Sequence, residues 1–296
     1  MRRTSLLASA LLLIPGLLCA QSSPLFDPNA FQDVLQSGPN ASFFTWIQLA
    51  KRLGLAVPSS IGPCVATAPV GSSTPLQPPP GSGTASSGCA YFGPDAIVSR
   101  AEMAYWVVKA QMDEPQISYF LCATGGDPSG LSAGCGGGTL ASSFGDLGAG
   151  GASIVNPFVG VSNAQLMRYI EVMVRRGYTQ GCTSTIDPIY RYCPNDPVTR
   201  AQMSVFIIRA KMNNVFPTTL SGTPQPNPYG DNFGASTTPY FTDVTPGDPV
   251  YGPYFIYVQK MRDLGITSGT TPTTFSPGNN ITRKEIATFA VRAFFL

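Results

Sequence analysis

Histidine is absent from all 296 residues. No Ser-His-Asp or Cys-His catalytic arrangement and no imidazole-ligated metal site can therefore be built. Charge is scarce as well. Lys and Arg number 18 and Asp and Glu 16, together 11% of the chain, less than half of the ~25% found in an average globular protein. The near-balance of sign and the lack of a basic cluster exclude a polyanion grip, so no nucleic-acid partner is expected. The carboxylates are scattered, with no pair at a spacing that acid–base catalysis would use. No CxxC pair exists for a metal cluster. The expectation is a noncatalytic chain with no cofactor and no metal. In contrast, Gly (31) and Pro (28) are abundant while 43% of residues remain apolar. That mixture fits a packed core carrying long Gly/Pro-rich loops rather than a disordered chain.

The first twenty residues read as an export signal. Arg2 and Arg3 precede an apolar run from Leu6 to Leu18, and Leu18-Cys19-Ala20 ends on a small residue at the cleavage position. The alternative is an uncleaved N-terminal anchor. No later segment approaches the ~20 apolar residues of a transmembrane helix, so no span is expected after cleavage. Removing residues 1–20 equalises basic and acidic residues and leaves Cys64, Cys89, Cys122, Cys135, Cys182 and Cys193. An even cysteine count in an exported chain reads as disulfides. The expected pairs are the local ones, Cys64–Cys89, Cys122–Cys135 and Cys182–Cys193, each closing a Gly/Pro/Ser-rich loop.

The strongest signal is internal repetition. Val98–Met112, Val198–Met212 and Ile281–Phe295 align without a gap, each running Val/Ile-Ser/Thr-Arg-Ala/Lys-Glu/Gln. Ser99, Thr199 and Thr282 are helix N-caps, and Glu102, Gln202 and Glu285 three residues later complete capping boxes. Apolar residues then recur with the helical period, as in Met103, Trp106, Val107 and Ala110, so these aromatics are core. Pro94, Pro194 and Pro277 precede the caps, and Phe92, Tyr192 and Phe275 precede the prolines. An earlier helix in each unit is expected to end at Gly54, Gly177 and Gly265. Each carries an aromatic eight residues before that glycine: Trp46, Tyr169 and Tyr257. Leading motifs stand before these helices at Phe31-Gln-Asp33-Val34, Phe158-Val-Gly160-Val161 and Phe241-Thr-Asp243-Val244.

These motifs resemble the S-layer homology (SLH) family, whose repeat carries F-x-D-V, G-I-x-x-G, F-x-P and I-T-R-A-E elements. Residues 240–296 match most closely, with Phe241-Thr-Asp243-Val244, Gly265-Ile-Thr-Ser-Gly269, Phe275-Ser-Pro277 and Ile281-Thr-Arg-Lys-Glu285. The chain departs from the family pattern at Ser42, Gln165 and Pro253, where a tryptophan is usual, at Gly160 in the second leading motif, and at Pro58 in the first turn. The resemblance implies a mainly α fold: three helix-loop-helix repeats in a pseudo-threefold bundle. The expected organisation is a signal at 1–20, a first repeat at 21–114 with a Pro/Ser/Gly-rich insertion at about 58–88, a Gly-rich linker at 115–157, a second repeat at 158–212, a linker at 213–239 and a third repeat at 240–296.

The resemblance also implies an exported protein of the cell envelope, periplasm or cell surface that binds cell-wall-linked polysaccharide or peptidoglycan. The alternative is an envelope scaffold that binds a protein and has lost its glycan. By resemblance, Arg100, Arg200 and Arg283 line the ligand grooves, with Asp33 and Asp243 beside them. The physics singles out the same arginines, because a helix start disfavours a cation by about 0.3–1 kcal/mol, and three violations of one rule imply a compensating interaction. That interaction is either an anionic ligand at the helix N-termini or an internal ion pair to Glu102, Glu285 or a leading Asp.

Overall fold

The computed structural model describes residues 31–35, 37–62, 89–132, 135, 142–182, 190–213 and 234–296. The signal (1–20), Cys64, most of the 58–88 insertion, Gly136 to Gly138 and most of the 213–239 linker lie outside them. The fold is mainly helical. In chain order it contains α1 (Ala41–Arg52), a two-stranded antiparallel hairpin of β1 (Ser60–Gly62) and β2 (Cys89–Tyr91), α2 (Arg100–Lys109), α3 (Glu114–Ala123), α4 (Asn163–Arg175), α5 (Arg200–Asn213), α6 (Phe255–Asp263) and α7 (Arg283–Phe294). No helix among the described residues is long and apolar enough to cross a membrane.

The capped helices are the centre. Trp106, Met203, Ile207, Ile286 and Val291 are completely buried. Each capped helix packs on the first helix of the following unit: α2 on α4, α5 on α6, and α7 back on α1. The first helices stop where expected. Gly54, Gly177 and Gly265 have φ of 73°, 71° and 69°. Behind each, the next N–H reaches back five residues, as Leu55 to Ala50, Tyr178 to Met173 and Ile266 to Met261, at 2.8–2.9 Å. This left-handed turn satisfies the last carbonyls and is open to glycine at no steric cost.

Two expected boundaries are corrected. The segment 115–157 is not simply a linker. Asp113 and Gln116 form a reciprocal capping box, Pro115 stands in the first turn, and α3 follows. The second leading motif is Phe144-Gly145-Asp146-Leu147, not Phe158–Val161. Asp33 accepts the N–H groups of Phe92 and Gly93, and Asp243 those of Phe275 and Ser276. Asp146 does the same for Tyr192 and Cys193, at 2.8 and 2.7 Å. The rings agree: Phe31–Phe92, Phe144–Tyr192 and Phe241–Phe275 lie 5.1, 5.3 and 5.6 Å apart. Phe158 instead packs on Tyr105 at 4.6 Å.

Loops with little core are held by other means. Disulfides join Cys122 to Cys135 and Cys182 to Cys193, as expected; the Cys64–Cys89 pairing involves a residue outside the description. The loop after α3 is clasped to α4 by Asp127, which accepts from the backbone and hydroxyls of Ser129 and Ser132 and pairs with Arg168 at 3.2 Å. Burial pushes the Asp127 carboxyl up, but these hydrogen bonds outweigh it and hold it below the ordinary carboxylate range.

Replacing Asp146 with Ala strands two backbone donors and is expected to lower stability by about 2 kcal/mol. Urea unfolding should show a loss comparable to that of Asp33→Ala and Asp243→Ala, whereas a substitution at the exposed Gly160 that tolerates its positive φ should have no such effect. Because Asp127 has a depressed pKa in the folded state, its contribution is present above the ordinary value of 3.8 and lost as pH falls through the folded value. Melting temperature against pH should therefore drop less steeply below 3.8 in Asp127→Asn than in the parent protein.

Candidate functional site

The three helix starts that carry the arginines meet in a closed ring. Val98 N–H donates to the carbonyl of Ile281, Ile281 to that of Val198, and Val198 to that of Val98, at 2.9–3.0 Å. The next N–H groups are spent the same way. Arg100 and Ala101 donate to Asp196 and Pro194, Arg200 and Ala201 to Asn279 and Pro277, and Arg283 and Lys284 to Ala96 and Pro94. Ser99 and Thr199 accept from the N–H groups of Glu102 and Gln202. The N–H groups that an anion would need at these helix starts are therefore already bonded to the neighbouring unit.

The arginine side chains are withdrawn from water. Arg100, Arg200 and Arg283 are 5%, 3% and 1% exposed. Arg100 and Arg200 donate through Nε to the carbonyls of Tyr192 and Phe275, at 2.7 and 2.8 Å. Their guanidinium groups stack between Tyr192 and Phe206 and between Phe275 and Phe289, 4.8–5.5 Å from the ring centres. Arg283 lies between Phe92 and Phe158 and donates to the Val57 carbonyl. Arg283 pairs with Glu102 at 2.6 Å, both 1% exposed, and Arg200 pairs with Glu285 at 2.7 Å.

This pairing takes Glu102 away from its capping box and leaves that of Glu285 intact. Glu102 does not reach back to Ser99. It accepts from Arg283 and the Trp106 indole N–H instead. Burial pushes the Glu102 carboxyl up, against the pull of Arg283 and Trp106. Glu285 divides its work: one oxygen takes Arg200, the other accepts from the Thr282 N–H and hydroxyl. At the third junction the carboxylate is missing, because Gln202 stands where the other units have Glu. Arg100 has a buried Nη2 with no hydrogen-bond partner, and Arg283, despite its carboxylate, has a buried Nε without one. Asp33 and Asp243 are likewise engaged with backbone, as described above.

An open groove lies elsewhere, between the end of α7, the turn after α6 and the face of α1. It encloses about 430 Å³ and is lined by Trp46, Arg262, Gly265, Thr267, Ser268 and Arg292 among others. Arg292 sits 4.6 Å over the Trp46 ring and donates to the Ile266 carbonyl at 3.4 Å. No carboxylate among the described residues pairs with Arg262 or Arg292. The groove thus presents a half-buried indole with Arg292 over its ring, a second guanidinium group and hydroxyls, and guanidinium groups of this kind can hold the acidic substituent of a sugar. Among the described residues no cluster of potential metal ligands occurs.

Residues 240–287 match the S-layer homology (SLH) domain family. No curated protein shows a significant match to the chain. The SLH segment supplies Arg262, Leu264 and the turn from Gly265 to Ser268 to the groove, whereas Arg292 and Leu296 at the end of α7 and Trp46 on α1 lie outside the matched residues. Trp46 was visible in the sequence as one of three spaced aromatics. Arg292 was missed, although Lys109, Arg209 and Arg292 occur nine residues after the three repeated arginines.

Truncating one partner of the buried pair in Glu102→Gln is expected to lower stability by about 3–5 kcal/mol, because Arg283 keeps its charge without compensation. Gln202→Glu should have the opposite sign and raise stability by about 1 kcal/mol, by giving Arg100 the carboxylate its counterparts have. Urea unfolding of both variants measures the pair.

Proposed function

We propose that the chain is an exported, noncatalytic cell-envelope protein in which three SLH-type repeats close in a pseudo-threefold bundle and hold an acidic cell-wall polysaccharide. The repeats begin at Phe31, Phe144 and Phe241. The cyclic bonding of the three helix starts and the matching roles of Asp33, Asp146 and Asp243 support this reading. Arg100, Arg200 and Arg283 key one repeat to the next and set the walls of the grooves.

The observation that carries the functional reading is the groove at Trp46, Arg262 and Arg292. One of its walls belongs to the segment that matches the SLH domain, and by resemblance such units hold wall-linked polysaccharide. Its cations have no carboxylate partner among the described residues, and a half-buried indole lies beside them. A carboxylate or ketal acid on a sugar satisfies the two cations. Recognition thus falls at the open ends of the repeats rather than at the helix N-termini. The disulfides fit a protein that folds outside the reducing cytosol.

Pull-down of the purified protein on cell-wall sacculi tests this. Trp46→Ala and Arg292→Ala are each expected to reduce retention by about tenfold, as anchors of a small interface do, with unchanged circular dichroism. Retention unaffected by both variants would favour the alternative of a protein-binding envelope scaffold without a glycan.

A further inference from the structure

The cation–aromatic frame of the open groove recurs between the first and second units, where the chain itself has filled it. Lys109 stands on α2 as Arg292 stands on α7, and Tyr169 on α4 as Trp46 on α1. Between them lies Glu114, the first residue of α3. One Glu114 oxygen accepts from Lys109 Nζ at 3.2 Å and from the Tyr169 hydroxyl. The other accepts from Arg168 Nη1 at 2.9 Å. Tyr169 is 1% exposed, whereas Trp46 is only partly buried. Glu114 is not deeply sealed, since its side chain is 32% exposed.

We propose that Glu114 is a built-in occupant. It takes the place of a ligand carboxylate in the groove between α2 and α4 and keeps a second saccharide site latent. The chemistry that surrounds it defines the class of ligand: a carboxylate taken by a lysine, an arginine and a tyrosine hydroxyl. A sugar bearing a carboxylate, such as a uronate, fits the open groove and, once Glu114 is displaced, this one. The placement of α3 makes the occupation local: Glu114 comes five residues after Lys109, and the Asp113 capping box together with the Cys122–Cys135 disulfide fixes the helix that presents it. The inference rests on the wall-binding reading above, and its test separates the two.

Retention on purified sacculi is measured for the parent protein, Trp46→Ala, Glu114→Gln and the Trp46→Ala/Glu114→Gln double variant. Glu114→Ala serves as a second opening substitution, and thermal melting checks every fold. The single Glu114 variants are expected to raise the amount bound at saturation. The double variant should regain most of the retention that Trp46→Ala loses, and D-glucuronate but not D-glucose should compete it off. A folded double variant that stays at the Trp46→Ala level, with either opening substitution, would overturn the latent site and leave the wall-binding reading standing. Full retention by Trp46→Ala alone, or no retention by the parent protein, would overturn both.

Discussion

Everything in this protein hangs on three helix starts that hydrogen-bond to one another around a closed ring. A helix N-terminus leaves donors without intrahelical partners, and those donors must be satisfied. Here the carbonyls of the neighbouring unit's proline-containing loop, at Pro94, Pro194 and Pro277, supply the acceptors. No unit can complete its own start alone. That explains why a chain so rich in Gly and Pro folds around so few helices. Local structure and subunit-like assembly are one event, and the loops need only bring the carbonyls into place.

The same ring accounts for arginines at positions where the helix dipole disfavours them. A guanidinium there cannot rely on water, because the neighbouring unit covers it. It is compensated by a carbonyl, two ring faces and, at two of three junctions, a carboxylate from the next helix start. Replacing such buried pairs by apolar residues is often neutral for stability in other proteins, whereas removing one partner is strongly destabilising. In this chain each pair joins one helix start to the next. Arg283 to Glu102 closes the third unit on the first across 181 residues. The Arg100 junction, with Gln202, lacks such a pair, and it is the junction beside which α3 adds Glu114, Arg168 and Asp127 as a second clasp.

Much of this was legible in the sequence because the informative signals were local. Caps, helical periodicity, turn glycines and short-range cysteine pairs depend on residues within one or two turns, and Ser99, Gly265 and Cys182–Cys193 behaved accordingly. The leading motif of the second unit was not found, since Leu147 replaces Val and the motif sits inside Gly-rich chain that reads as linker. The α3 start was readable in Asp113-Glu114-Pro115-Gln116 but was hidden by the same composition. The burial of the arginines was the least readable feature. Arginine is ordinarily a surface residue, and the groups that bury Arg283 come from positions 92, 102 and 158. Only the alternative of internal pairing with Glu102 or Glu285 anticipated the contacts.

Scarcity of charge then acquires a physical meaning. With few ionisable groups, almost every cation with a structural duty is committed: Arg168 to Glu114 and Asp127, Arg175 to Glu171, Arg200 to Glu285, Arg283 to Glu102. A cation left uncommitted on such a surface stands out against a nearly neutral background, where no field of like charges screens or competes with it. Arg262 and Arg292 are of that kind. They contact the Tyr240 and Trp46 rings and the Ile266 carbonyl but no carboxylate among the described residues, and they line one groove with the half-buried Trp46. The internal pairing that removes the repeated arginines from recognition is therefore what isolates this groove. On the proposed reading, an acidic sugar is selected because these two guanidinium groups have no carboxylate partner among the described residues.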